Sequence, residues 1–430
     1  MMPFKKFGHR LFRSLYERIF REKLNQEALK FFTRTSYVAI GTLFGSLLTF
    51  VFNILGARIL GPTDFGNLAL VTTVGTILAI SMGINLQAAT KYGSGAQDDS
   101  TRSRIISTFG WQVALLTVGS IVIYTLLSAP LANAFDIPPD VFVYAIAFAA
   151  ITTLAAFTFN SLRILFRMKA FALLNALQSV IVIAAFLILI SLNVRSLQAA
   201  VFSLYIGNAA IAAILVVYLR HYLKFQIDRF WSRKLLHYAI IALPGLIAGA
   251  FMGIDRIFIN MFTTTGAVGL YNAYYLPSIT VSLTLWSIFS AAFFPYASKS
   301  KNKLDIFYKV NKAVPYIAAA LLPLILLIEF IIFILYGRQY PFSAELGLLF
   351  AFAGTTCFIY ACYSALMASE GPRGAKVNTL CSIAALAVLI AVNVVLIPLI
   401  GISGAAIALI AAYLVAALYL VSRRRVLRER

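Results

Sequence analysis

The chain has 430 residues, of which 61% are hydrophobic and 12% are charged. Soluble proteins have about one-half apolar and about one-quarter charged residues, so this composition excludes an ordinary soluble fold and indicates a protein that folds in lipid. The net charge of +21 does not indicate nucleic-acid binding, because the basic residues lie between apolar runs and at the two ends. We therefore expect no nucleic-acid partner.

The first segment, residues 1–35, lacks the continuous apolar core of a cleavable signal peptide. Phe7, Leu11, Leu15 and Ile19 recur at four-residue spacing, and lysine and arginine fill much of the remainder. This pattern predicts a basic amphipathic helix that lies on the cytoplasmic leaflet and binds anionic membrane lipids. A mobile basic tail that only enforces topology is the alternative.

The rest of the chain consists mainly of apolar runs separated by short polar connections. A helix needs about 20 apolar residues to cross the hydrocarbon, because in lipid each segment must satisfy its own backbone hydrogen bonds. The runs therefore predict about twelve transmembrane helices, at 36–60, 67–89, 105–128, 141–162, 170–192, 197–219, 236–262, 267–297, 314–335, 343–368, 377–398 and 403–421.

Lysine and arginine are distributed unequally between the two sides of these spans. One side has only Arg58, Arg195 and Arg338, Arg256 falls within a span, and the other 32 of the 36 lie on the opposite side or at the ends. The positive-inside rule therefore predicts that both termini are cytoplasmic. The connections on the charge-poor side are short, which leaves no room for an extramembrane catalytic domain and argues against an enzyme.

Cysteine and histidine give no sign of a metal site. Cys357, Cys362 and Cys381 all fall inside predicted spans, where small core residues are the expected reading. The three histidines lie near the predicted cytoplasmic surface. We expect neither a bound metal nor a cofactor.

An internal repeat divides the chain into two parts. Gly66 and Gly269 lie 203 residues apart, each at the start of an even-numbered span, and Gly404 begins the last span in a similar sequence. Repeats of the same orientation predict a parallel duplication of six plus six helices with a site between the lobes. The expected organisation is a surface helix at 1–35, an N-terminal lobe at 36–219, a cytoplasmic linker at 220–235, a C-terminal lobe at 236–421 and a basic tail at 422–430.

Three short segments are similar to those of a known family. They are Arg-Ile-Leu-Gly-Pro-Thr-Asp-Phe-Gly at 58–66, Gly-Leu-Tyr-Asn-Ala at 269–273 with Asp255 and Arg256 upstream, and the glycine-alanine turn at 401–406. With them the chain resembles the polysaccharide-transport branch of the multidrug/oligosaccharidyl-lipid/polysaccharide exporter superfamily, the Wzx-type flippases.

The resemblance implies a V-shaped, all-α membrane exporter in the cytoplasmic membrane of a bacterium or archaeon. Its implied cargo is an undecaprenyl-diphosphate-linked oligosaccharide for surface polysaccharide such as O-antigen, capsule or exopolysaccharide. A polysaccharide polymerase and a chain-length regulator are the implied protein partners.

Arg256 is the foremost candidate for binding cargo. Charges at membrane depth are costly and usually face an interior or a wet cavity. On one continuous helix, Arg256 would share a face with Asn260 and with glycines at 245, 249 and 253. A cation facing the space between the lobes would bind a lipid diphosphate. The alternative is a structural ion pair with an acid on a neighbouring helix.

Two buried acids are candidates for proton coupling. Asp255 lies about 100° around the helix from Arg256 and would either carry a proton or anchor its helix to a neighbour. Glu329 is a lone carboxyl in an apolar run of the ninth span. It would either carry a coupling proton or form a structural hydrogen bond.

The first span repeats the pattern of the seventh. Asn53 lies on a face with Gly45, Thr49 and Gly56, which makes it a candidate counterpart of Asn260 in lining a cavity. Arg58, at the outer end of this span, would hold a diphosphate at the exit or, alternatively, extend to lipid phosphates of the outer leaflet.

Four basic residues lie at the cytoplasmic ends of the N-terminal spans. They would gather an anionic cargo at the cytoplasmic entrance, or serve only to fix the topology. These residues are Lys91, Arg163, Arg167 and Lys169.

Other functional classes fit the sequence less well. A cation-coupled small-molecule or drug exporter of the same superfamily is the nearest alternative, but the strongly basic balance favours an anionic lipid cargo. A membrane polysaccharide polymerase or glycosyltransferase usually needs a large outer loop or paired acids, which are missing here. A channel is disfavoured because no span has a polar stripe along its full length.

Overall fold

The computed structural model describes residues 26–220, 222, 227–299 and 302–427. The described residues contain no strand and form fifteen α-helices, joined by short turns. The helices are α1 (Gln26–Met82), α2 (Leu86–Ser94), α3 (Asp99–Leu126), α4 (Ser128–Ala134), α5 (Pro139–Ile164), α6 (Met168–Ser191), α7 (Ser196–Leu219), α8 (Arg229–Ala250), α9 (Asp255–Phe262), α10 (Thr265–Tyr275), α11 (Val281–Lys299), α12 (Lys303–Tyr336), α13 (Ala344–Ala368), α14 (Pro372–Ile400) and α15 (Ile402–Ser422).

Ten stretches of the described chain are long and apolar enough to cross a membrane. One of them, Leu43–Met82, has 40 residues and covers two predicted spans. The predicted span 267–297 is not among the ten; in the structure it consists of α10, a π-helical turn at Leu276–Thr280 and α11. The all-helical membrane fold expected from the sequence is confirmed.

Gly61 divides α1 into two arms. Its φ of 72° and ψ of 174° are not helical, and Pro62 follows directly. Glycine tolerates this positive φ, and proline is favoured at the first position of a helix because it lacks a backbone N–H. The arm at 26–60 and the arm at 62–82 therefore correspond to the first two predicted spans.

Three predicted spans are not continuous helices. The span at 67–89 is interrupted between Met82 and Leu86, where the buried Asn85 side chain donates a 2.7 Å hydrogen bond to Gln112 on α3. The span at 236–262 is interrupted by a 3₁₀ turn at Phe251–Gly253, and 267–297 contains the π-helical turn. Such irregular turns are tolerated in membrane helices where neighbouring protein groups satisfy the backbone.

Contacts between connections define two ends of the molecule. At the charge-poor end, Asp64 accepts a 2.7 Å hydrogen bond from Ser196, and Phe65 packs edge-on against Tyr340. At the basic end, Ser103 donates a 3.0 Å hydrogen bond to the Tyr222 carbonyl. The connections therefore gather at the ends that the charge distribution predicts.

The helices before residue 220 pack mainly on one another, and so do those after residue 255. The main bridge between these groups, which we call the N-terminal half and the C-terminal half, joins the second arm of α1 to α10. Helix α8 contacts α2 and α3 near the basic end and α14 farther along. Most of the basic amphipathic segment predicted at 1–35 lies outside the described residues.

Candidate functional site

The α9–α10 hairpin brings Arg256 into the interior. Helix α9 follows the 3₁₀ turn, and a two-residue turn reverses the chain into α10, so that residues sixteen positions apart face each other. Thr264 begins α10 by accepting a 3.2 Å hydrogen bond from the Ala267 backbone N–H. This side-chain cap satisfies one of the free N–H groups at the start of the helix.

Arg256 is 9% exposed and is held by neutral groups. Its Nε and Nη2 donate hydrogen bonds of 3.1 and 3.0 Å to Oδ1 of Asn272. Its guanidinium carbon lies 4.2 Å from the ring centroid of Tyr275 and 5.7 Å from that of Tyr271. Hydrogen bonds and aromatic faces stabilise the cation without cancelling its charge.

No described carboxylate lies within ion-pair distance of Arg256. The adjacent Asp255 is fully buried and accepts a hydrogen bond from the Tyr271 hydroxyl through Oδ2. Its Oδ1 is buried and has no hydrogen-bond partner among the described residues. The structural ion pair that we considered for Arg256 is therefore not seen in this part of the chain.

The glycine face expected beside Arg256 is split by the 3₁₀ turn. A Cβ added at Gly253 would lie 3.2 Å from Nη1 of Arg256 and 3.8 Å from Thr73 on α1. A Cβ at Gly249 would meet no atom within 4 Å, whereas one at Gly245 would face Thr379 on α14. The missing side chain of Gly253 thus provides the space that the guanidinium occupies.

Asn260 lies toward the charge-poor end rather than beside an open cavity. Its Nδ2 donates to the backbone carbonyl of Asp136, and its Oδ1 accepts a 2.9 Å hydrogen bond from Thr265. Asp136 belongs to the N-terminal half. In this conformation the Asn260 amide therefore joins the two halves.

Asn53 and Arg58 lie apart from Arg256 on the first arm of α1. Asn53 is half-buried and donates a 2.8 Å hydrogen bond to the Thr49 carbonyl. Arg58 is exposed near the charge-poor end. The structure does not bring these two residues into contact with the Arg256 group.

Two glycines allow the halves to approach each other closely. A Cβ added at Gly66 would lie 2.0 Å from the carbonyl oxygen of Thr265, and one at Gly269 would lie 1.9 Å from that of Pro62. Neither position has room for a side chain, so the backbones of α1 and α10 touch. We call this contact the glycine crossing; it joins the two halves near the charge-poor end.

Glu329 is fully buried in the C-terminal half. Both carboxyl oxygens are buried and have no hydrogen-bond partner among the described residues. A Cβ added at Gly347 on α13 would lie 3.2 Å from Oε2, which shows how tightly this carboxyl is packed. A buried polar group left unpaired costs about 1–3 kcal/mol, so the fold keeps this acid at a cost.

The four basic residues expected at the entrance are exposed at the basic end. The Lys91 Nζ lies 4.2 Å from the ring centroid of Tyr238, and the Arg163 guanidinium lies 4.8 Å from that of Phe171. Arg167 and Lys169 flank the start of α6. They line one surface and do not converge on Arg256.

Sequence reasoning overlooked Asn272, Tyr271 and Tyr275 as parts of the site. All three lie within or beside the 269–273 segment that carries the family resemblance, yet none of them was assigned a role in the site from the sequence. The signal was available, because Asn272 is an amide inside an apolar run, where polar groups need partners.

One family model matches the chain, and solved structures share its fold. The family model described as "Polysaccharide biosynthesis protein" matches residues 32–301. No curated protein sequence matches the chain.

Several solved structures share the fold over nearly the whole chain. The lipid II flippase MurJ in an inward closed conformation has 14% sequence identity and a TM-score of 0.63, covering 90% of this chain and 87% of that chain. An inward-facing multidrug resistance MATE transporter of the MOP superfamily has 14% identity and a TM-score of 0.60, covering 91% and 94%. A MOP superfamily transporter from Pyrococcus furiosus has 15% identity and a TM-score of 0.53, covering 93% and 97%.

Proposed function

Because the chain belongs to the polysaccharide biosynthesis protein family, we propose that it is a flippase for a polyprenyl-diphosphate-linked oligosaccharide. Its fold is that of a multi-pass membrane exporter. The proposed cargo is undecaprenyl-diphosphate-linked and serves surface polysaccharide synthesis, with a polymerase and a chain-length regulator acting nearby. Both termini lie in the cytoplasm in this proposal, since the basic end carries nearly all of the lysine and arginine.

The observation that supports this function best is the buried cation of Arg256, which has no carboxylate within ion-pair distance among the described residues. A guanidinium in a low-dielectric interior attracts an anion strongly, and its planar fork matches phosphate oxygens. Asn272 and Tyr275 hold the cation in place before cargo arrives. A cationic drug would be repelled there, which argues against the small-molecule exporter as the alternative.

The glycine crossing supports a mechanism of alternating access. With the charge-poor end closed, cargo enters from the basic end, and its diphosphate reaches Arg256 on the basic side of the glycine crossing. The two lobes, at 36–219 and 236–421 in this proposal, then rock about the midplane while the polyprenyl chain stays in lipid. The Asn260 bond to Asp136 breaks when the charge-poor end opens.

Reconstitution in lipid vesicles tests the proposed cargo. Vesicles with the purified protein and a fluorescent undecaprenyl-diphosphate-linked saccharide should make the inner-leaflet label accessible to an added quencher faster than empty vesicles do. Parallel vesicles loaded with ethidium report on export of a small organic cation. Movement of ethidium without movement of the lipid would contradict the proposal.

Glu329 is the proposed proton carrier, and Asp255 is the second candidate. Replacing Glu329 by glutamine should abolish the dependence of flipping on a pH gradient, because an amide of nearly the same shape cannot lose a proton. Replacing it by leucine should do the same and stabilise the fold by about 1–3 kcal/mol, since the unpaired polar group is gone. Glu345→Gln, at an exposed acid on α13, is the control.

Vesicle flipping under imposed pH gradients and thermal unfolding in detergent measure the two effects. If the Glu329→Gln protein responds to the gradient as the wild type does, Glu329 carries no coupling proton. The same pair of measurements on Asp255→Asn then tests the second candidate.

A further inference from the structure

A group of lysines and aromatic rings lies at the basic end, where α2 meets α8. The Lys234 Nζ lies 4.7 Å from the ring centroid of Tyr92 and 4.9 Å from that of Trp231. The Lys91 Nζ lies 5.5 Å from the Tyr92 centroid and 4.2 Å from that of Tyr238. Both ammonium groups therefore lie near the same ring, Tyr92. We call these five residues the lysine–aromatic cluster.

The two lysines of the cluster form no ion pair with a described residue. In the part of the chain that the structure describes, neither has a carboxylate within ion-pair distance. Other basic residues at this end do form ion pairs, such as Lys303 with Glu370 at 2.7 Å and Arg102 with Asp99 at 2.8 Å. Aromatic faces hold a cation in position and partly strip it of water, but they leave its charge available to an anion.

The cluster is built on a rigid support. Gln112 on α3 donates hydrogen bonds of 3.0 and 3.1 Å to the side chain and the carbonyl of Ser232, two residues before Lys234. The buried Asn85 amide, at the start of α2, donates 2.7 Å to Gln112. These bonds fix α2 and α8 relative to each other, so the two ammonium groups are preorganised.

An apolar surface borders the cluster. Phe230 is 64% exposed, and its ring centroid lies 5.3 Å from the Lys234 Nζ. Ile227, at the same end of α8, is 50% exposed. Exposed large apolar residues beside two neighbouring ammonium groups suit a ligand with an anionic head and a hydrocarbon chain.

From this arrangement we infer that the lysine–aromatic cluster binds the phosphate or diphosphate headgroup of an anionic lipid, whose chain lies along Phe230. The site is separate from Arg256, and it does not depend on the proposed flippase activity, since a phospholipid offers the same chemistry. If the bound lipid is the cargo, it is the polyprenyl diphosphate before it enters the protein. If it is a bulk lipid, it is an anionic phospholipid of the leaflet.

Native mass spectrometry of the detergent-solubilised full chain tests the inference. The wild type and the double variant Lys91→Gln/Lys234→Gln are titrated separately with undecaprenyl diphosphate, phosphatidylglycerol and phosphatidylcholine. Each lysine near a membrane surface contributes about fivefold in affinity for an anionic lipid, so the double variant should bind about 25-fold more weakly. Lys376→Gln, at an exposed lysine of the basic end, is the matched control and should bind as the wild type does.

The pattern of losses identifies the lipid. Weaker binding of undecaprenyl diphosphate alone assigns the site to the cargo, and weaker binding of both anionic lipids assigns it to anionic lipids in general. Unchanged affinity for both, or an equal loss of phosphatidylcholine binding, would overturn the inference. Flipping by the double variant is measured separately, so a failed site and a failed flippase are distinguishable.

Discussion

Replacing Gly269 by alanine should open the charge-poor end of the protein and stop transport. The new Cβ would lie 1.9 Å from the Pro62 carbonyl oxygen, and this neighbour is backbone that no side-chain rotation can move. Overpacking of this kind costs about 1–3 kcal/mol, which shifts an equilibrium between two conformations about 5- to 150-fold. We expect Gly66→Ala to act in the same way, because its Cβ would meet the Thr265 carbonyl.

Double electron–electron resonance measures the opening directly. Spin labels at Asp140→Cys and Arg338→Cys lie on exposed positions of the two halves at the charge-poor end, and the three native cysteines are buried. The label-to-label distance should lengthen in Gly269→Ala. Gly119→Ala is the control, since a Cβ there meets no atom within 4 Å. An unchanged distance together with normal transport would refute the role of the glycine crossing.

Replacing Asn272 by aspartate should inactivate the flippase while keeping Arg256 in place. The amide oxygen of Asn272 already lies 3.0 Å from Nη2 of Arg256, so a carboxylate there would form an ion pair and neutralise the cation. If Arg256 binds the cargo diphosphate, this resident anion competes with it. We expect a loss of affinity of about 30-fold or more, the effect of about 2 kcal/mol for a buried charge pair.

Arg256→Ala and Arg256→Lys complete this test. Alanine should abolish flipping, and lysine should restore part of it, because an ammonium keeps the charge but loses the planar fork. Flipping in vesicles and thermal unfolding are measured on all three variants. If Arg256 were purely structural, Asn272→Asp would raise the melting temperature and leave flipping intact, and the proposed diphosphate contact would be wrong.

The charge pattern and apolar runs were sufficient to predict the fold class and the two ends of the molecule. Membrane insertion imposes a length and a composition on every span, so these features are local in sequence. Arg256 was also recognisable as a candidate site residue, because a charged side chain within an apolar run is costly at membrane depth whichever way the helix faces.

The breaks in the helices were not predictable in the same way. The 3₁₀ turn before Asp255 places Arg256 against α10, and it divides a glycine face that a continuous helix would have kept together. Asn272 became part of the site only through the sharp reversal between α9 and α10. Contacts of this kind depend on tertiary packing, which periodicity along one helix does not contain.

Helix α8 has a consequence for how the chain can be divided. It follows the connection between the halves in sequence, yet its first turns are fastened to α3 by Gln112 and Ser232, and it goes on to pack against α14. Two fragments produced by cutting the chain before Asp228 would therefore still share this interface. The second fragment would contain α8, which packs against α3 of the first fragment. Co-expressed fragments should therefore reassemble into a working protein without a covalent link.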